Sequence, residues 1–230
     1  MPTRTRRPER REEPLSRERV VEAAIELLDT AGEGGLTFRA LAARLATGPG
    51  AIYWHVTGKD ELLGAATDAV LSRTTTTDAD PAPQEAIRAL ALGVFDAIDA
   101  HPWVGTQLSG APPQSPMLRV FEHIGRQVQA LGVPQTAQFT AASSLLSYIL
   151  GVAGQNAANA RQCPPDTDRT QFLDTVSEAW ASLDPEEFAF TRNVAEQLRV
   201  HDDRAEFLAG IDLILTGITA RPDPTDPAPS

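Results

Sequence analysis

Residues 50–63 read Gly50-Ala51-Ile52-Tyr53-Trp54-His55-Val56-Thr57-Gly58-Lys59-Asp60-Glu61-Leu62-Leu63, and the plan of the N-terminal part follows from them. Ile52 and Val56 stand four apart and share one side of a short helix, so Tyr53, Trp54 and His55 point largely outward. Three adjacent aromatic-type side chains are hard to bury on a two-turn helix, whose inner face is small. The competing reading makes Tyr53 and Trp54 core residues of a small domain, and pattern alone leaves both open. Upstream, Thr37 caps a second short helix with the stripe Phe38, Leu41, Ala42 and Leu45, and Ala46 to Pro49 separate the two. A longer helix from Ser16 turns Val21, Ala24, Ile25 and Leu28 inward and ends at Ala31-Gly32 and the Gly34-Gly35 turn. Two short helices joined by a tight turn and packed on a longer one form the helix-turn-helix plan. Small residues at Gly50 and Ala51 allow close approach of a partner. Helix N-termini receive phosphates, and small side chains admit contact with a thymine methyl.

Helical periodicity continues, and strand-like alternation is nearly absent. Thr57 with Asp60 predicts a capping-box start for a fourth helix, with Leu62, Leu63, Ala66 and Val70 inward. After a polar break, Asp80-Pro81 predicts the cap and first position of a helix carrying Ile87, Leu90, Ala91, Val94 and Ile98. The Gly/Pro-rich stretch 101–116 reads as irregular with a short helix. Met117 to Leu131, Pro134 to Ala160 and Thr170 to Leu183 read as helices, with a loop from Gln162 to Asp168. Asp184-Pro185-Glu186-Glu187 carries the marks of a further helix start. Asp203 with Glu206 opens the last helix, whose stripe is Phe207, Leu208, Ile211, Ile214, Leu215 and Ile218. The expected fold class is all-α with about ten helices. Its divisions are a disordered basic arm (1–15), a three-helix head with a connecting helix (16–72), a helical body (81–221) and a disordered tail (222–230).

The 230 residues are 42% apolar and 22% charged, a soluble globular composition. The nearest approach to an apolar run, Ala137 to Gly154, contains Gln138, Thr140, Ser143, Ser144 and Ser147, so no membrane span is expected. No apolar run follows the N-terminal charges, which argues against a signal peptide. The single cysteine, Cys163, excludes a disulfide framework, and a cytoplasmic setting is expected. The net charge of −11 is uneven: residues 1–60 hold ten Lys and Arg against nine Asp and Glu, and the remainder ten against twenty-two. A basic head on an acidic body would show this asymmetry, and so would an inert charged tail. Of the twenty cationic residues, nineteen are Arg, so Arg alone is no sign of bidentate recognition.

Other patterns carry less. Gly48-Pro49-Gly50 follows no strand and lacks a third glycine, which excludes a dinucleotide fingerprint. His55, His101, His123 and His201 are too dispersed for a local metal motif, and no P-loop, G-x-S-x-G or H-E-x-x-H occurs. Cys163 has no obvious activating base beside it. No catalytic or metal-ligating set emerges, no cofactor is expected, and the chain does not read as an enzyme. Phe95, His101, Trp103, Gln107, Met117, Phe121, Gln127 and Tyr148 mix apolar bulk with polar tips, as a pocket between helices does. Taken singly, each is better explained as ordinary core or surface, and only the set points to a ligand cavity.

Residues 16–71 resemble the DNA-binding domain of the TetR family of bacterial transcriptional repressors. The resemblance rests on Gly35-Leu36-Thr37-Phe38-Arg39-Ala40-Leu41-Ala42 and on Tyr53-Trp54-His55-Val56 with Lys59 three residues on, a string similar to the tetracycline-repressor subgroup. It implies a ligand-responsive repressor that binds a palindromic double-stranded operator as a homodimer and is released by a small-molecule inducer. Thr37 and Tyr53 would then contact phosphates, Arg39 a base edge, and Trp54 and His55 the major groove. Pro49, Gly50 and Ala51 would start the reading helix, and Lys59 would meet the DNA backbone. The chain departs from the family in Ala46, where the turn often has Gly, and in the lack of hydrogen-bonding side chains at the start of the reading helix. A different operator is implied.

The resemblance also implies a ligand-binding and dimerising body. Dimers would form through Pro134 to Ala160 and Asp203 to Ala220, with Ala141, Ala142, Gly151 and Gly154 permitting close approach. The subgroup holds its drug as a magnesium chelate on a histidine and a glutamate, whose places fall here on Gln107 and Gln155. Amides suit a hard cation poorly. The implied inducer is apolar and aromatic, bound without metal by Gln107 and Gln155, with Trp103, Phe121 and Phe139 in apolar contact and Tyr148 completing the set. The rival reading is a helical small-molecule-binding protein or enzyme without DNA binding.

Overall fold

The computed structural model describes residues 14–74, 81–109, 116–162 and 168–220. Among these residues there are eleven α-helices, one 3-10 segment and no strand. The expected basic arm before Pro14, the tail beyond Ala220, and Asp80 and Cys163 lie outside the described residues. The chain divides into two compact units, residues 1–69 and 70–230.

The first unit is a small helical head. Helix α1 (Arg17–Gly35) is capped by Ser16, whose hydroxyl accepts the Arg19 N–H. It breaks at Gly32, where φ is 63°, a left-handed backbone that glycine adopts without steric cost. Helix α2 (Phe38–Arg44) is capped by Thr37, which accepts the Ala40 N–H at 3.1 Å. Helix α3 (Pro49–Ile52) is only one turn long, and residues 53–55 continue it as a turn rather than as the expected second helical turn. Val20, Ala24, Ile25 and Leu28 of α1 join Leu36, Leu41, Ile52, Val56, Leu62 and Ala66 in the buried set. Helix α4 (Lys59–Thr74) begins in this unit and runs on past residue 69.

The second unit is built around one long helix. Helices α5 (Pro83–Ala100), α6 (Trp103–Ser109) and α7 (Pro116–Ala130) pack on α8 (Gln135–Gln162), and α11 (Asp203–Thr219) packs on α8 and α5. Inward residues of α8 are Ala141, Ala142, Leu145, Ile149, Ala153 and Ala157, spaced at three and four. Opposite them stand Ile87, Leu90, Val94 and Ile98 of α5 and Val120, Ile124 and Val128 of α7. The short helices α9 (Arg169–Ala181) and α10 (Ala189–Val194) and the 3-10 segment (Ala195–Val200) pack together. Arg199 ties this group with ion pairs to Asp174 and Glu196 at 2.7 and 3.1 Å.

Several helix starts differ from their expected places, because a capping side chain is chosen by the turn geometry and not by residue type alone. Helix α5 begins at Pro83 with Ala82 as its cap position. Asp184 does cap, accepting the Glu186 and Glu187 N–H groups at 2.9 and 3.0 Å. The turn it starts is not prolonged, and α10 begins only at Ala189. For α11 the cap is Asp202, which accepts the Ala205 N–H at 2.8 Å, and Asp203 is already helical.

At the centre of the body, Phe207 lies between two rings. Its centroid is 4.8 Å from Phe95 and 5.7 Å from Tyr148, and the Tyr148 hydroxyl donates to the Phe207 carbonyl at 3.3 Å. The tyrosine ring therefore lies against the α11 backbone, and Gly210 makes this possible: a Cβ there would fall 1.9 Å from the hydroxyl and 2.4 Å from Cζ. A helix-interior Gly→Ala change ordinarily stabilises by roughly 1 kcal/mol. Gly210→Ala is expected to do the opposite, destabilising by roughly 1–3 kcal/mol as an overpacking change. Thermal unfolding checks this. A melting temperature equal to or above that of the parent chain would show that Tyr148 can leave Phe207 without loss.

Candidate nucleic-acid interface

The aromatic segment owes its exposure to its two anchors. Ile52 and Val56 are 0% and 1% exposed, whereas Tyr53 is 55% and Trp54 89% exposed. Trp54 is therefore not a core residue, which settles the choice that sequence pattern left open. The backbone between the anchors is held by the His55 and Val56 N–H groups, which both donate to the Ile52 carbonyl, at 2.9 and 3.2 Å. Pro49 and Gly50 are exposed, while Ala51 and His55 are half-buried. Arg39 is exposed one residue into α2 and has no partner among the described residues.

The turn before α3 stores strain. Ala46 has a φ of 51°, and it alone among the described non-glycine residues has a positive φ. An L-residue there costs about 1–2 kcal/mol. The Thr47 N–H reaches the Ala42 carbonyl at 2.9 Å across this turn and holds it closed.

Two residues make contacts that their sequence reading did not include. Phe38 belongs to the expected inward stripe of α2, yet it is half-buried and its ring stacks on that of Tyr53, centroids 4.5 Å apart and planes 6° apart. An i, i+3 or i, i+4 pattern cannot distinguish a core ring from one covering an exposed neighbour. Lys59 donates its ammonium to the Glu33 carbonyl at the end of α1, the position where a cation opposes the helix dipole. It has this structural role whatever else it touches.

The capping partner of the fourth helix is also displaced. Glu61, rather than Asp60, accepts both the N–H and the hydroxyl of Thr57 at 2.7 Å. Its other oxygen receives the Arg17 guanidinium at 2.9 Å, so the carboxylate binds the start of α4 to α1. The Thr57 backbone and hydroxyl donors, followed by Arg17, hold the Glu61 carboxyl down to about 2.

The six expected ligand residues are spread over α6, α7 and α8. Trp103 is buried in α6, and Gln107 is half-buried on the same helix. Phe121 and Phe139 meet edge-on at 6.1 Å across α7 and α8, with Phe139 74% exposed. Tyr148 is committed to Phe207, and Gln155 is exposed on α8. Two other cavities stand out in the body. One, of about 590 Å³, follows the outer face of α7 past Arg119, His123 and Arg126. The other, of about 630 Å³, is a groove between α8 and α11 lined by Thr136, Thr140, Ser144, Ile214, Gly217 and Ile218 among others. None of the six residues lines either. Among the described residues no group of three His, Cys, Asp or Glu is placed to hold a metal ion, and no helix is long and apolar enough to cross a membrane.

A short helix-turn-helix head with its second element turned to solvent, followed by an all-helical body, places the chain among the helix-turn-helix proteins. The family model described as bacterial regulatory proteins, tetR family, matches residues 20–66, and that for the tetracyclin repressor-like C-terminal domain matches residues 79–221. The chain belongs to the TetR family. It is 64% identical to a TetR transcriptional regulator of Streptomyces coelicolor, with a TM-score of 0.81 and coverage of 90% of this chain and 99% of that one. An HTH-type transcriptional repressor of Streptomyces coeruleorubidus is 31% identical over 78% of this chain and 66% of its own length. The class D tetracycline repressor of Escherichia coli is 46% identical over 59 residues, which cover 26% of this chain and 27% of that protein. The chain spans less than two thirds of the length of the curated relatives it matches.

The Glu61 network gives a pH dependence with a definite sign. A carboxylate depressed by folding contributes stability above its unfolded value and loses it as pH falls through the folded one. The penalty of Glu61→Ala on denaturant unfolding of the head is thus expected to be full at neutral pH. It should shrink between the ordinary 4.5 and about 2, as the native carboxyl protonates. A penalty that is constant across this window would show that the Thr57 and Arg17 contacts are absent in solution.

Proposed function

We propose that the protein is a ligand-responsive transcriptional repressor that binds a palindromic operator through its head as a homodimer. One observation carries the reading. A nearly fully exposed Trp54 sits between two fully buried anchors, on an element too short to need it for packing. Thr37, Arg39, Tyr53 and His55 surround the same element by sequence, and Pro49, Gly50 and Ala51 start it without bulk. In this role Thr37 and Tyr53 face phosphates, Arg39 reaches a base edge, and Trp54 and His55 enter the major groove. Dimerisation through α8 and α11 is supported by the outward character of both helices. Leu213 is 76% exposed, and the groove between the two helices is lined by small and aliphatic residues. Ala142 is buried within the protomer and does not belong to that face; Ala141 lines the groove, and Gly151, which is exposed, and Gly154, which is half-buried, remain candidates. A two-fold pair of heads reads successive major grooves roughly 34–36 Å apart. Helix α4 continues from the head into the body, so a ligand that prefers one tilt of α4 by several kcal/mol would release the DNA.

Mobility shift against the DNA upstream of its own gene tests the reading. Trp54→Ala is expected to weaken binding by about ten- to a hundredfold, the worth of a good base-edge contact, with the melting temperature nearly unchanged. Failure of the parent chain to shift any such DNA would favour a helical small-molecule-binding protein or enzyme.

For the inducer, the chemistry of Gln107 and Gln155 supports an apolar, aromatic molecule bound without metal, since neutral amides are weak partners for a hard divalent cation. The Phe121–Phe139 pair and Trp103 supply aromatic surface in the same unit. Magnesium–tetracycline titrated against the protein–operator complex, with and without chelator, is expected to leave the complex intact. Release that requires the metal would overturn this assignment.

A further inference from the structure

The DNA-reading segment has an unusual mechanical problem. Its helix is one turn long, and Tyr53 lies at the C-cap with φ −64° and ψ −14°, beyond the last helical residue. Main-chain hydrogen bonds fix the backbone of residues 52–56 but leave exposed side chains free to choose rotamers. Tyr53 is more than half exposed. The ring that covers it is Phe38, the first residue of α2, nearly parallel at 4.5 Å. Phe38 is flanked by Thr37 and Arg39, the two residues of α2 that the proposed function places against DNA.

We infer that Phe38 is a positioning residue for DNA recognition: its stack on Tyr53 fixes the tyrosine hydroxyl relative to Thr37 and Arg39. The inference rests on the proposed DNA-binding function and adds to it a residue that makes no contact with the DNA itself. A stack of this kind spans the turn and joins the two short helices through their solvent side, opposite the buried Leu41 and Ile52. It restricts Tyr53 before DNA arrives, so the ordering of that side chain is already met in the free protein. A Phe in this position that merely filled the core would be buried like Leu41; instead it is half-buried beside an exposed partner.

The experiment is a double-mutant cycle on DNA affinity. The probe is a labelled duplex selected by the full-length parent protein from a random pool and measured by fluorescence anisotropy. Phe38→Leu keeps apolar bulk and removes the stack, whereas Phe38→Tyr keeps the stack. Each is made in the parent chain and together with Tyr53→Ala. Phe38→Leu is expected to weaken binding about three- to tenfold in the parent background, the range set by the worth of one aromatic pair. In the Tyr53→Ala background it is expected to have no effect, and Phe38→Tyr is expected to restore parent affinity. Equal losses with and without Tyr53, or no loss in the parent background, would overturn the inference while leaving DNA binding in place. A parent protein that selects no duplex would overturn both the proposed function and the inference. Far-UV circular dichroism and melting temperature of each variant separate a folding defect from a positioning one: with Phe38→Leu unfolded at the assay temperature, Phe38 is a core residue and the inference fails.

Discussion

The head depends on the burial of two aliphatic side chains, Ile52 and Val56, on either side of a three-residue aromatic segment. A one-turn helix cannot hold itself together by its own hydrogen bonds, because nucleating a turn costs more backbone freedom than one bond returns. What holds α3 in place is the complete burial of Ile52, with α3 packed on α2, and the reclosure of the chain at Val56. Each such burial is worth roughly 1.5–3 kcal/mol. With both ends pinned, residues 53–55 have nowhere to go except outward, and their exposure is a consequence of the anchors rather than of any preference of Trp54 for water. The strained Ala46 is a cost of the same arrangement. The turn must be tight enough to bring α3 back onto α2, and the two anchors compensate for one residue in the left-handed region.

The body solves a different problem, that of packing four helices on a single long one. Helix α8 does so by tapering: Leu145 and Ile149 fill its middle, and Ala153 and Ala157 narrow its C-terminal half. Facing helices approach more closely where the inward residues are small. The Phe95–Phe207–Tyr148 stack sits against this middle section and connects three helices through rings instead of aliphatic chains. Ion pairs such as Arg204–Asp96 and Arg88–Asp212 run between α5 and α11 above it. They are largely exposed and individually weak, so they direct the register of α11 more than they hold it.

The parts legible in the sequence were those set by periodicity. The inward residues of α1, α5, α7 and α11 recur at three and four, and burial follows that spacing. The exposure of Trp54 was legible too, as an inability to bury three aromatics on so small an element. What could not be read was any feature decided by which of two neighbouring side chains reaches a given N–H. Asp60 and Glu61 are both carboxylates near Thr57, and only the extra methylene and the proximity of Arg17 select Glu61. Asp202 and Asp203 are chemically equivalent, and the cap goes to the one whose backbone is extended. The placement of the proposed ligand set was illegible for a related reason. A list of aromatic and amide residues spread over three helices says nothing of what packs on each stretch of a helix: Tyr148 and Gln155, seven apart, share a side of α8, yet Tyr148 stacks on Phe207 and Gln155 is exposed.

Charge bears on how such a head meets a polyanion. Among residues 14–69 the acidic side chains outnumber the five basic ones, so the head has no positive field of its own. Four of the five cations are already engaged. Arg17 holds Glu61, Arg44 holds Glu26, Lys59 holds the Glu33 carbonyl, and Arg19 donates to the Pro14 carbonyl. Arg39 is left, beside the Phe38–Tyr53 stack. A single unpaired guanidinium gives specificity at one base step, but the long-range attraction that brings a protein to DNA grows with the number of phosphates neutralised. In this chain the five arginines before Pro14, set against three glutamates, are the nearest reserve of such charge. If the proposed function holds, the arginine-rich sequence before Pro14 is the part suited to attraction, and the side chains around α2 and α3 are the part suited to discrimination.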